Sequence, residues 1–140
     1  MKAKNLFYLF AVAALFAFAV IAGCKKPQVP TNPISLSFQQ TYQNRDFSLK
    51  FDSVLNDSRC PSDVICCWEG NAEVRLIYVD RYFTERRIIL DTHIPDNRFR
   101  NDTTIGNVNI KLVELSPYPV STKIIEQEDY VAKILLTIID

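Results

Sequence analysis

The stretch "NVNIKLVEL", Asn107 to Leu115, sets Val108, Ile110 and Leu112 in alternation against Asn109 and Lys111. A period of two with apolar residues on one side is the pattern of a half-buried strand, because successive side chains of an extended chain point to opposite faces. "YVAKILLTI", Tyr130 to Ile138, repeats it, with Tyr130, Ala132, Ile134, Leu136 and Ile138 on one side. Upstream, "ISLSFQQTY" from Ile34 sets Leu36, Phe38 and Tyr42 against polar partners, and "DFSLKF" from Asp46 alternates Phe47, Leu49 and Phe51 with Ser48 and Lys50. "NAEVRLIYVD" from Asn71 places Ala72, Val74, Leu76 and Tyr78 opposite Glu73 and Arg75. "TERRIIL" follows after a tight connection from Asp80 to Phe83, so the two segments predict a hairpin. These six runs, joined by turn formers and without a capped amphipathic helix, predict an all-β fold. The architecture expected is an antiparallel β-sandwich, immunoglobulin-like in outline.

The N-terminal segment speaks to location. Lys2 and Lys4 precede an uncharged apolar run of 17 residues, Leu6 to Ala22. That is at the short limit for spanning a hydrocarbon core of about 30 Å, and a basic stretch before an apolar one is the layout of an export signal. The run ends in "IAGC", and Ala22 and Gly23 before Cys24 resemble the lipobox of bacterial lipoproteins. The resemblance implies a signal peptide at 1–23, lipid chains including palmitate on Cys24, and membrane attachment through them in the bacterial cell envelope. Lysines directly after Cys24 resemble those of lipoproteins that face the periplasm from the outer membrane. "KKPQVPTNP", with three prolines and no apolar periodicity, reads as a tether completing 24–33. A single domain is expected over 34–140. Without Lys2 and Lys4, 14 basic residues stand against 16 acidic ones. With no basic excess, nucleic acid and anionic lipid are excluded as expected partners.

One segment concentrates unusual chemistry: "DSRCPSDVICCWEG", Asp57 to Gly70, holds three cysteines and the only tryptophan. An oxidising compartment favours disulfides, and three cysteines allow one bridge and one leftover thiol. Cys66 and Cys67 are adjacent, and a bridge between neighbours is strained, so Cys60 is expected to pair with one of them. Parity counted back from Val74 and Leu76 puts Cys66 and Trp68 on the core side and Cys67 with Glu69 on the other. This predicts a Cys60–Cys66 disulfide, Trp68 packed beside it as a core anchor, and Cys67 as the candidate free thiol. Two sharper readings stand beside the staple. Cys67 could attack the neighbouring bridge, as in thiol–disulfide exchange. Soft thiolates with His93, the only histidine, could hold copper(I), although the cysteine spacing is unlike that of zinc pairs. No metal or other cofactor is expected.

"DSRCPSDVICCWEGNAEVRL" resembles the signature of a group of small bacterial lipoproteins of uncharacterised activity, and "IKLVELSPYP", Ile110 to Pro119, resembles the segment that follows in the same group. The resemblance implies the anchor, the β fold and a recurring cysteine pair at Cys60 and Cys66, with Cys67 where an ordinary apolar residue is usual. It implies no chemistry.

No catalytic motif is legible in the sequence. A triad would have to use His93, and Ser58, Ser62, Asp91 and Asp96 lie in no catalytic motif. "EQED", Glu126 to Asp129, lacks the spacing of a calcium loop and reads as a solvated turn. The longest connection, Asp91 to Gly106, offers His93, Arg98, Phe99 and Arg100 as a candidate binding loop. Arg81, Arg98 and Arg100 would join Arg86 and Arg87 in an anion patch if their loops converged. The function expected is a non-catalytic binding or structural module, partnered by the membrane and by an envelope protein. The alternatives are a protease-inhibitor-like module using the Cys60–Cys66 loop, and a thiol- or metal-handling protein.

Overall fold

Alternation becomes two four-stranded sheets in a computed structural model that describes residues 29–93 and 99–139. The leader, Cys24 and Arg98 lie outside the described residues. The strands are β1 (Ile34–Ser37), β2 (Thr41–Gln43), β3 (Phe47–Asp57), β4 (Ala72–Asp80), β5 (Glu85–Asp91), β6 (Asp102–Ile105), β7 (Val108–Ser116) and β8 (Val131–Ile138). One sheet has the order β1-β8-β7-β6 and the other β2-β3-β4-β5, and every pairing is antiparallel. The expected sandwich is therefore present. Within the immunoglobulin-like outline of two facing antiparallel sheets, the connections follow a meander, since all neighbours except β1 and β8 are consecutive in the chain.

The inward residues are those the alternation selects. Leu49, Phe51, Val74, Leu76, Leu90, Ile110 and Ile134 are the largest fully buried side chains. Each such residue contributes about 1.5–3 kcal/mol relative to exposure. Alternation fails at bulges, where one extra residue resets the parity. In β7 a register shift between Leu112 and Glu114 keeps Glu114 exposed beside Val113, where strict alternation would turn it inward, and returns Leu115 to the core.

Three expectations need correction. Residues 34–42 do not form one strand: the chain leaves β1 at Phe38, whose N–H bonds the Tyr130 carbonyl, and joins the opposite sheet through Gln39 N–H to Phe51 O at 2.8 Å. Gln39 adopts φ +63° at this corner. The 91–106 connection contains β6, an edge strand whose Asp102–Thr103–Thr104 run lacks apolar alternation but pairs with Lys111, Ile110 and Asn109. "EQED" is more than a solvated turn. Gln127 opens a 3₁₀ turn (Gln127–Asp129), and its side-chain amide donates to Val54 O at 2.9 Å while its carbonyl oxygen accepts Val54 N–H at 3.0 Å.

Strand directions divide the molecule into two ends. The three long connections, 58–71, 92–101 and 117–130, all leave from one end. Val29 lies at the other, lining a cleft with Asp46, Asp80, Tyr82, Asn107 and Ile138.

Candidate functional site

The three-loop end is built on the β3–β4 hairpin, whose ladder runs past the strands. Ser58 N–H bonds Asn71 O at 2.7 Å and Cys60 N–H bonds Glu69 O at 2.9 Å. Gly70 lies in this neck with φ +73°, and a Cβ there would land on the Ser58 carbonyl. Beyond the neck the Cys60–Cys66 disulfide closes the tip. Ser62 N–H donates to Pro119 O at 2.9 Å, and the Asp63 carboxylate accepts Ser121 N–H and Oγ–H at 2.8 and 2.6 Å. The loop is thereby strapped to the 117–130 connection. Those Ser121 bonds hold the Asp63 carboxyl below the usual carboxylate range.

Under the strap lies an ionic knot that sequence reasoning missed. Arg59, 7% exposed, forks onto Asp57 through Nε and Nη2 at 2.9 and 2.6 Å, and donates to Leu115 O at 2.6 Å and Pro117 O at 3.0 Å. Tyr130 Oη–H donates to Asp57 Oδ2 at 3.0 Å, and the Tyr118 ring lies 5.0 Å from the guanidinium carbon. Burial pushes the Asp57 carboxyl up, but the Arg59 hydrogen bonds and charge outweigh it, so its pKa falls below the ordinary value. Burial and the Asp57 carboxylate push the Tyr130 phenol up to about 12. Asp57, Arg59 and the Tyr130 hydroxyl are directed inward, and Tyr118 covers them from the surface side. The guanidinium is consumed by internal acceptors, which makes this knot a structural clasp between the sheets.

The knot also joins two of the segments quoted above. "DSRCP" and "SPYP" meet in space: Arg59 contacts Leu115, Pro117 and Tyr118, and Ser62 contacts Pro119. The signal in the sequence was a charged pair, Asp57 and Arg59, directly at the end of an apolar strand.

His93, Phe99 and Arg100 are placed by Asn71. This buried side chain donates to Asp91 Oδ1 at 2.7 Å, and its carbonyl oxygen accepts the N–H groups of Thr92 and His93 at 3.1 and 3.2 Å. Asp91 Oδ2 in turn accepts Arg100 N–H at 2.8 Å. The His93 ring tilts onto Phe99 at 4.8 Å between centroids, and its Nδ1 lies 3.9 Å from Glu69 Oε2. The structure thus brings His93 and Phe99 of the candidate loop to the disulfide hairpin. It does not assemble the arginines, because Arg81 and Arg86 line the cleft at the Val29 end while Arg100 is bonded at the other.

Two clefts share the wall Glu69, Gly70 and His93. One of about 520 Å³ runs between Cys60, Val64, Leu112 and Tyr118, and one of about 370 Å³ between Trp68, Asn71 and Phe99. Trp68 is 74% exposed and is not a core anchor, because β4 begins at Ala72 and the residues before Gly70 are not strand. Cys66 is likewise exposed, so the predicted disulfide forms at the surface and not on the core face. Cys67 is free and exposed, and Ile65 is fully exposed. Among the described residues, no three His, Cys, Asp or Glu are grouped to hold a metal ion, and no serine or cysteine hydrogen-bonds to the His93 ring. A rim of Val64, Ile65, Trp68, Phe99 and Tyr118 with few charges suits the gripping of an apolar or aromatic side chain from a partner.

Comparison with family models, with curated proteins and with solved structures gives no match.

Proposed function

We propose that the chain is a lipid-anchored binding module of the bacterial cell envelope, non-catalytic, that presents its three-loop end to a protein partner. One observation carries the reading: the stapled hairpin, His93, Phe99 and Tyr118 gather at the end opposite Val29, five residues after Cys24. An anchor at Cys24 places this end farthest from the membrane and leaves its apolar rim for a partner. The "IAGC" segment and a surface disulfide, which suits an oxidising compartment, support the location.

A photo-crosslinking residue at Ile65, at Trp68 or, as a control, at Lys50 tests the reading in cells. One protein adduct from Ile65 and Trp68, lost on Phe99→Ala and absent from Lys50, is expected. Equal labelling from all three positions would reject a partner site at the loops.

A second reading has its own observation. The fully exposed Ile65 projects from a seven-residue disulfide ring, Cys60 to Cys66, as an inhibitory loop presents a side chain to a protease cleft. Inhibition of a serine or cysteine protease that disappears with Ile65→Asp would favour it over the envelope partner.

A further inference from the structure

The end that carries Val29 has a surface feature that the loop site does not use. The β4–β5 hairpin turns through Arg81, Tyr82 and Phe83, and Asp80 organises it: Asp80 N–H bonds Thr84 O, Phe83 N–H bonds Asp80 O, and Asp80 Oδ1 accepts Tyr82 and Thr84 N–H at 2.8 and 2.9 Å. Phe83 occupies the left-handed position of this three-residue loop, with φ +64°, where glycine is the favoured residue. A phenylalanine there is disfavoured by its Cβ, and at 89% exposure its ring recovers little by packing within the domain. Tyr82 beside it is 72% exposed, with the Arg81 guanidinium 4.9 Å from its ring centroid. Two neighbouring aromatic rings in water call for a surface outside the domain.

The chain limits what that surface is. Val29 and Tyr82 line one cleft. Five residue steps separate Val29 from Cys24, and an extended chain covers at most about 3.6 Å per residue, so roughly 18 Å is the longest reach from the lipid. We propose that Tyr82 and Phe83 sit in the interfacial zone of the membrane that holds the Cys24 lipid, making the hairpin tip a second, reversible foot. This rests on the lipid-anchor reading of Cys24 and adds an orientation to it. Aromatic side chains are favoured at that depth, with a cation such as Arg81 held at headgroup level. Asp46 and Asp80 line the same cleft as Arg81 and Arg86, and Glu85 pairs with Arg87 at 3.5 Å, so acidic and basic groups largely offset one another here and the contact is aromatic rather than a response to anionic lipid.

The test uses the full acylated chain reconstituted in vesicles of phosphatidylethanolamine and phosphatidylglycerol with brominated acyl chains, which quench nearby tryptophan. Native Trp68, at the far end, is the internal control. Tyr82→Trp in a Trp68→Phe background, and Phe83→Trp in the same background, are expected to be quenched at least about twofold more strongly than Trp68, at either low or high salt. Protein that floats with the vesicles yet shows equal quenching at both ends overturns the foot and leaves the anchor standing. Protein that does not float, with Cys24 unmodified by mass spectrometry, overturns the anchor and the foot together.

Discussion

Arg59 grips the carboxylate of Asp57, two positions before it, with the Nε and Nη2 edge of its guanidinium, while Nη1 and the second Nη2 hydrogen reach the carbonyls of Leu115 in the opposite sheet and Pro117 just beyond it. Both side chains are nearly sealed from solvent, 5% and 9% exposed. Removing one member of such a pair strands the other as a buried charge, which costs about 3–5 kcal/mol. Arg59→Ala is therefore expected to lower unfolding free energy by about that amount in urea titration. Arg59→Lys restores the charge but not the fork, and recovers only part of the loss. A loss under about 1 kcal/mol for Arg59→Ala would show that the clasp holds nothing.

The same knot sets a pH dependence. The native Asp57 pKa lies below its unfolded value, so the native state binds fewer protons there; its contribution is complete above about pH 4 and disappears as pH falls through the lowered native value. Tyr130 has the opposite sign. Its pKa is raised to about 12, so its contribution is complete below the unfolded value near 10 and is lost as pH climbs through about 12. Unfolding measured against pH should show an acid limb that flattens in Asp57→Asn and an alkaline limb that flattens in Tyr130→Phe. Unchanged limbs in both variants would separate the titrations from the knot.

Gly70 is the hinge of the hairpin neck. Its positive φ and the Ser58 carbonyl pressed against it leave no room for a side chain. Gly70→Ala combines left-handed strain with a backbone clash and should destabilise by more than about 2 kcal/mol. Gly106 has a similar φ with open space around it, so Gly106→Ala should cost only about 1 kcal/mol of backbone strain. Equal losses at the two sites would mean that the clash is relieved by a shift of the neck.

Gly70 also marks where the sequence stopped being legible. Downstream of it, period-two alternation is enforced by a two-sided sheet, so Ala72, Val74, Leu76 and Tyr78 were identifiable as core. Upstream, parity counted through a glycine at positive φ has no meaning. The Cys60–Cys66 pairing is present although the parity argument for it fails, and Trp68 was placed in the core by the same count. Asp57 and Arg59 escaped notice because charged residues near a turn usually face solvent; only the meeting of two segments more than fifty residues apart buries them. β6 was hidden because an edge strand of Asp and Thr carries no apolar rhythm.

Phe83 gives a prediction in which stability and surface role oppose each other. Glycine relieves the left-handed strain at the turn, so Phe83→Gly should stabilise the domain by about 1 kcal/mol. The same substitution removes the most exposed ring of the hairpin tip. A chain that gains thermal stability while losing vesicle-dependent protection of the hairpin from proteolysis is the expected outcome. A stability loss on Phe83→Gly would mean that the ring packs in the domain after all.

Cys67 stands one residue from a surface disulfide, free and exposed. Exposure makes alkylation of the unreduced protein straightforward, and one modified cysteine per folded domain, at Cys67, is expected by peptide mapping. The disulfide closes a ring of seven residues, worth roughly 2–3 kcal/mol in the chain-entropy picture. Its neck and strap hydrogen bonds remain when the bridge is cut. Cys60→Ser with Cys66→Ser should therefore lower stability by no more than that amount and leave the Arg59 knot intact. If Cys67 were an exchanging thiol, mixed-disulfide species joining it to Cys60 or Cys66 would accumulate in protein purified without reductant, and Cys67→Ser would abolish them while leaving unfolding unchanged. A homogeneous Cys60–Cys66 bridge beside a fully alkylated Cys67 assigns the cluster to the staple alone.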